Sequence, residues 1–274
     1  MDCDVVSYDL YSLSRSAYKR LAYFRAAGLR HQLPYWRYIY SYEDVGEGVF
    51  PTETDMRWDA LSGIVYGYTG HTWFVYQAQA PHAVVSAFYT GQGDLGVAHT
   101  ARWAQAAEIN RQMAHLGRAI TQLTSTAVRY IPGVSLFGLE QPTGTRDWSP
   151  GDGGDPYITL IEPTGSLEDV LVGFFVDDVE EQYTILQNPN HAGGDIPTES
   201  TNPMTIRVEF DFGGAPSSLD PGTIQVLNHR NGRVETRPLT TLGGDRARLE
   251  VRVEAGDVFF FKYATDSPFA LGPE

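Results

Sequence analysis

The sequence predicts an α/β unit followed by an all-β unit within one chain of 274 residues. Three observations carry this. Strand-like and helix-like stretches alternate through the first half, the pattern of a parallel sheet covered by helices. Short strands punctuated by turns fill the second half, the pattern of an antiparallel β-sandwich. Between them Ser149–Pro156, SPGDGGDP, has the composition of a linker. The expected divisions are 1–148, a linker over 149–156, and 157–274.

Asp55–Gln77, DMRWDALSGIVYGYTGHTWFVYQ, anchors the first half. Trp58, Leu61, Ile64 and Val65 recur at the spacing of an amphipathic helix, and Gly67 and Gly70 end it. His71–Tyr76 is short, β-branched and aromatic, which predicts a strand buried on both faces. Upstream, Asp4–Tyr8 reads as a first strand. Ser14 is placed to cap a helix over Arg15–Ala27, closed by Gly28. Pro34–Tyr40, PYWRYIY, is the second strand, followed by a polar loop carrying Glu43, Asp44 and Glu47. Downstream lies an irregular segment, Ala78–Ala98. His99–Thr124 is then a long helix with Trp103, Ala106, Met113, Leu116 and Ile120 on its apolar face.

In the second half, alternation is plain over Thr205–Phe212, where Ile206, Val208, Phe210 and Phe212 share one face. Asn231-Gly232 predicts a two-residue hairpin turn. Seven further short apolar runs bring the expected strands to about eight, enough for a sandwich.

Composition excludes several functions. No run approaches the roughly 20 apolar residues of a membrane helix, and the acidic, strand-like start MDCDVVSYDL is not a signal-peptide pattern. The single cysteine, Cys3, rules out an internal disulfide framework. The net charge of −14 is uneven, −1 over residues 1–150 and −13 over 151–274, which argues against nucleic acid and anionic membrane as partners. The chain has no phosphate loop, dinucleotide fingerprint, Gly-x-Ser-x-Gly elbow or metal-ligand spacing of histidines, so no cofactor or metal is expected.

The runs VVSYDLY, PYWRYIY, RWDALSGIVYGYTGHTWFVY and AAEINRQMAHLGRAITQLTSTAVRY, in that order, resemble the last part of a clan A glycoside hydrolase barrel of the β-galactosidase-like kind. VLVGFFVDDVEEQYTILQNPN and VEAGDVFFFKY resemble strands of the β-sandwich that commonly follows. The resemblance spans nearly the whole chain as a pattern, without one diagnostic motif. It implies the last three βα units of a TIM-type barrel, strands six to eight, followed by an antiparallel β-sandwich. Three units are too few to close such a barrel, which takes about 250 residues.

Such enzymes use two carboxylates flanking the glycosidic bond. The resemblance implies an acid/base on strand four, which these strands do not include. It also implies a nucleophilic glutamate near Ile39–Tyr40, where a tyrosine stands; the nearest carboxylate is Glu43. Glu43 is thus the candidate nucleophile, or else one carboxylate of a solvated acidic turn with Asp44 and Glu47. Asp9 and Tyr11 follow the first strand, at the edge where barrels place their sites. Asp9 is a candidate sugar-hydroxyl ligand, or a strand-end aspartate capping local amides. Of the aromatic residues Trp36, Tyr38, Tyr40, Trp73 and Tyr76, alternate ones must point under the helices. Tyr40, Tyr76 and Gln77, nearest the strand ends, are the candidate substrate contacts. The resemblance implies an exported, glycoside hydrolase-like protein that is inactive without the acid/base. The competing expectation is a non-catalytic carbohydrate-binding or assembly protein. Either way, carbohydrate is the ligand, and a second copy or a partner chain covers the open sheet edges.

Overall fold

The computed structural model describes residues 3–14, 16–44, 50–75, 84–89, 98–133, 145–152, 154–164, 169–192 and 202–273. Its elements follow in chain order. The first part holds β1 (Val6–Tyr8), α1 (Ala17–His31), β2 (Tyr35–Tyr40), β3 (Tyr42–Asp44), α2 (Glu53–Val65), β4 (Gly70–Phe74), β5 (Val84–Ser86), α3 (Ala101–Ile120) and β6 (Thr124–Ile131). The second part holds β7 (Ile158–Thr164), β8 (Val170–Val176), β9 (Gln182–Gln187), β10 (Met204–Asp211), β11 (Asp220–Asn228), β12 (Arg233–Pro238), β13 (Thr240–Gly243), β14 (Arg246–Val253) and β15 (Val258–Ala264).

A three-stranded parallel sheet, in the order β1-β2-β4, carries the helices on one face. Tyr35, Arg37 and Ile39 of β2 point under the helices and are buried, while Trp36 and Tyr38 point the other way and are exposed. Two antiparallel sheets follow, six-stranded (β12-β11-β15-β9-β8-β6) and four-stranded (β13-β14-β10-β7). Ile206, Val208 and Phe210 of β10, with Leu249 and Val251 of β14, meet Val172, Phe174, Ile224 and Phe261 of the larger sheet in a shared core. This is mixed, sheet-rich architecture with few helices.

α2 explains how the layers join. Its entry is a capping box: Thr52 Oγ1 accepts from Asp55 N–H, and Asp55 Oδ2 accepts from Thr52 N–H. Eleven of its thirteen residues are buried, so it is not the amphipathic helix expected from Trp58, Leu61, Ile64 and Val65. The reason is that both faces are covered. Thr54, Trp58, Ser62 and Val65 abut the six-stranded sheet and its turns: Ser62 Oγ donates to Gln187 Oε1 at 3.0 Å, and a Cβ on Gly173 of β8 would lie 2.3 Å from the Val65 carbonyl oxygen. Asp59 and Gly63 lie on the other side, against Arg37 of the parallel sheet. The helix sits inside one core that runs from Tyr35 and Ile39 of the parallel sheet to Phe175, Ile185 and Phe260 of the six-stranded sheet.

Other expectations are corrected. Gly28 does not close α1, which runs on to His31 and ends at Gln32 in the left-handed region (φ 54°). Gly28 is instead a contact point, because a Cβ there would sit 2.2 Å from the Tyr35 ring. The third strand is not buried on both faces: β4 has no partner on its outer edge among the described residues, and Thr72 and Phe74 are exposed. Within the supposed irregular segment 78–98, β5 pairs with β3. The long helix stops at Ile120, and Thr124–Ile131, unassigned from sequence, becomes β6 at the edge of the six-stranded sheet. Asn231-Gly232 is not a two-residue turn, since Asn228 pairs with Arg233 and His229–Gly232 form a four-residue loop. Within 149–156, Asp155 is buried and accepts from the Tyr263 hydroxyl at 2.6 Å and the Tyr157 amide at 2.9 Å, so that stretch is fastened to the sheet.

Candidate functional site

Parallel strands deliver their C-terminal ends to one edge, and here that edge is aromatic. Tyr40 and Phe74 are register partners at the ends of β2 and β4, and the Ser41 amide donates to the Phe74 carbonyl at 3.0 Å. Tyr11, three residues beyond β1, stacks on Phe74 with ring centroids 4.9 Å apart and 24° between planes. Tyr42 meets Tyr11 edge-on at 5.2 Å and Tyr40 at 4.7 Å. Tyr40 and Tyr11 lie 6.5 Å apart. Four rings, three on β2, β3 and β4 and the fourth, Tyr11, beyond the end of β1, therefore form one cluster. Burial pushes the Tyr11 hydroxyl up, with further lifts from Asp9, Tyr42 and Tyr38, so it stays a neutral donor at all physiological pH.

Asp9 is exposed beside this cluster, and its carboxylate accepts no hydrogen bond among the described residues. It does not cap local amides and is free to meet solvent or ligand. Glu43 lies in β3, paired with Val85 of β5, three residues past the end of β2; its side chain lies outside the described residues. Tyr76 and Gln77 also lie outside them. Asp9 is thus the one candidate carboxylate of this edge whose side chain lies among the described residues, and no group of three metal-ligating side chains occurs among them.

The exposed sheet face continues from this edge. Trp36, Tyr38 and Phe74 are 45 %, 37 % and 37 % exposed. The Trp36 indole lies flat on Gly70, where a Cβ would approach the ring to 2.6 Å. Trp73 is one of the alternate aromatic residues that point under the helices: its indole N–H donates to Asn110 Oδ1 of α3 at 2.8 Å, and His71 Nε2 shares that oxygen at 3.0 Å. Sequence reasoning did not single out Tyr42 and Phe74. Strand alternation was the available signal, because Phe74 has the parity of Thr72, opposite Tyr38.

Beneath the edge lies a buried ion pair. Arg37 (2 % exposed) donates from Nη1 to the Asp59 carbonyl at 2.9 Å and from Nη2 to Asp59 Oδ1. Asp59 Oδ2 accepts the Tyr40 amide at 3.0 Å. Burial pushes the Asp59 carboxyl up, while Arg37 and the Tyr40 amide pull against it. The pair fixes the last residue of β2, and so the position of the Tyr40 ring.

No protein-family model matches the chain, and no curated protein matches it in sequence. Among solved structures it is similar to a rhamnosidase from Novosphingobium sp. PP1Y, with TM-score 0.56 and 9% identity, over 99% of this chain and 36% of that one. A looser likeness is to a glycoside hydrolase family 5 protein from Bacteroides vulgatus ATCC 8482, with TM-score 0.41 and 10% identity, over 94% and 48%. The chain therefore spans about a third of the rhamnosidase's length, and its fold is glycoside hydrolase-like.

Proposed function

We propose that the chain is the closing part of a TIM-type barrel of the clan A kind followed by a β-sandwich, and that the C-terminal edge of its parallel sheet binds carbohydrate. The observation that carries this is the cluster of Tyr11, Tyr40, Tyr42 and Phe74 with the unpartnered carboxylate of Asp9 beside it. Aromatic faces receive the apolar face of a sugar ring, and tyrosine hydroxyls and a carboxylate serve its hydroxyl groups. Glycosidic cleavage needs two carboxylates about 5–9.5 Å apart. The described residues of this edge offer one, so the chain alone binds sugar without cleaving it, and Glu43 becomes the nucleophile only where other strands supply the acid.

The second reading is a non-catalytic carbohydrate-binding or assembly protein that is oligomeric. It is favoured by the two outer edges of the parallel sheet, on β1 and β4, which have no strand partner among the described residues, and by the exposed Trp36, Tyr38 and Phe74 face.

Three measurements test these readings. Intrinsic fluorescence titrated with mono- and disaccharides is expected to change saturably, and Tyr11→Ala with Asp9→Ala to abolish the change. Aryl glycosides are expected to remain uncleaved by the pure chain; turnover abolished by Glu43→Gln would overturn the inactivity. Light scattering separates the second reading, since a monomer at micromolar concentration argues against self-assembly.

A further inference from the structure

The four-residue loop between β11 and β12 opens a recess of about 270 Å³ between the two antiparallel sheets, remote in sequence from the aromatic edge. Its polar lining is Arg230, Arg237, Arg252, His229 and Asp257, and Phe259 lies on its apolar side with valines of β11 and β14. The loop exists because Asn228 Oδ1 accepts the Arg230 amide at 3.1 Å and Gly232 takes φ +72°, which carries His229 and Arg230 out of the ladder and over the recess.

Charge accounting singles out this place. Residues 151–274 contain eight basic side chains against twenty-one acidic ones. Arg207, Arg246, Arg248 and Lys262 are held by Glu162, Glu209 and Glu181. Within the recess, Arg252 pairs with Glu254 at 3.3 Å. Of the remaining basic residues, Arg233 and Arg237 are in no ion pair among the described residues, and Arg237 lines the recess. Its guanidinium rests 5.3 Å above the Phe259 ring, which holds its position and leaves its five N–H donors unspent. Arg230 is 56 % exposed and anchored through Nη2 to Asp257 Oδ2 at 2.9 Å.

That anchor is itself fixed. Asp257 is 5 % exposed, its Oδ1 accepts the Val258 amide at 2.8 Å, and His229 Nε2 lies 2.8 Å from the same oxygen without hydrogen-bond alignment. Burial pushes the Asp257 carboxyl up, but His229, Arg57 and the Val258 amide outweigh it and bring it down to about 2. Asp257 is thus a permanent anion serving Arg230 and His229, with Arg237 left for a ligand.

We propose that this recess binds a small carboxylate-bearing ligand of single-ring size, the carboxylate bridging Arg237 and the free donors of Arg230 while the ring packs on Phe259 and the adjoining valines. A planar carboxylate matches the guanidinium fork. The volume lies just below the roughly 300 Å³ at which ordinary ligand pockets begin, which leaves room for one ring. The site is independent of the sugar-binding edge, so either assignment stands if the other fails.

Calorimetric titration of the Tyr11→Ala, Asp9→Ala protein, in which the sugar-binding edge is disabled, with glucuronate, glucose and inorganic sulfate at low ionic strength tests it, and the arginine variants are made in that background. Glucuronate is expected to bind saturably, glucose not at all, and sulfate more weakly than glucuronate. Arg237→Gln should weaken glucuronate by about tenfold or more, as loss of a charge-assisted hydrogen bond does. Arg233→Gln, removing the other unpaired arginine outside the recess, should leave it unchanged. Both residues are exposed, so circular dichroism should show both variants folded. The assignment is overturned if glucuronate does not saturate, if glucose or sulfate binds as well, or if the two variants weaken binding alike.

Discussion

Replacing Arg37 with methionine tests how the sheet edge is held. In the native protein the guanidinium is 2 % exposed and its partner Asp59 is 1 % exposed, so neither charge is solvated. Arg37→Met strips Asp59 of its counter-ion and leaves the carboxylate with the Tyr40 amide as its main donor. Removing one partner of a buried pair costs about 3–5 kcal/mol. The lower end applies here, because Arg37 Nε is already buried without an acceptor, a native cost of about 1–3 kcal/mol that the substitution relieves. About 3 kcal/mol corresponds to a fall in Tm of roughly 6–12 °C for a chain of this size class. The double variant Arg37→Met with Asp59→Leu removes both charges, leaving only the Tyr40 amide orphaned, and should recover most of the loss. Urea unfolding followed by circular dichroism reads all three proteins. The reasoning fails if Arg37→Met lies within 1 kcal/mol of wild type, or if the double variant is less stable than the single one.

Three further outcomes follow. Asp257, depressed to about 2 from an ordinary 3.8, contributes stability that is present above about pH 4 and lost as pH falls through 2. Asp257→Asn should therefore be less stable by about 2 kcal/mol at pH 6, with the gap closing toward pH 2 in denaturant titrations; a gap constant with pH would contradict it. Gly28→Ala drives a methyl into the Tyr35 ring 2.2 Å away and should cost about 1–3 kcal/mol by the same assay, where an ordinary helix site would gain. Trp36→Ala, on the exposed sheet face, should change stability by less than about 1 kcal/mol, and a larger loss in thermal melts would mean that the face is covered in solution.

How much of this was legible in the sequence depends on whether the signal was local. The three parallel βα units, α3 and the alternation of β10 follow from hydrophobic period alone. The sides of β4 do not: strand parity decides whether Trp73 or Phe74 faces the helices, and nothing local sets it; Trp73 takes the helix side and binds Asn110. Thr124–Ile131 escapes a local reading because its first inward residues, Ser125 and Ala127, are small and give no apolar alternation. At the edge, Asp9, Tyr11 and Tyr40 could be named from strand ends, and the structure brings Tyr11 and Tyr40 into one cluster with Asp9 beside it. Tyr42 lies in a stretch whose polar composition reads as loop, although it opens β3. The Arg37–Asp59 pair joins residues 22 apart on different elements, and the arginine recess joins two sheets. Neither has a sequence pattern.

The double coverage of α2 has a consequence for cooperativity. Composition divides this chain near residue 150, but Thr54, Trp58, Ser62 and Val65 complete their burial only against β8, β9 and the β14–β15 turn. Separating the halves would bare one flank of a helix that has no polar flank to offer water. The break visible in composition is therefore not a seam in the free-energy surface, and heat or denaturant should melt both halves in a single transition.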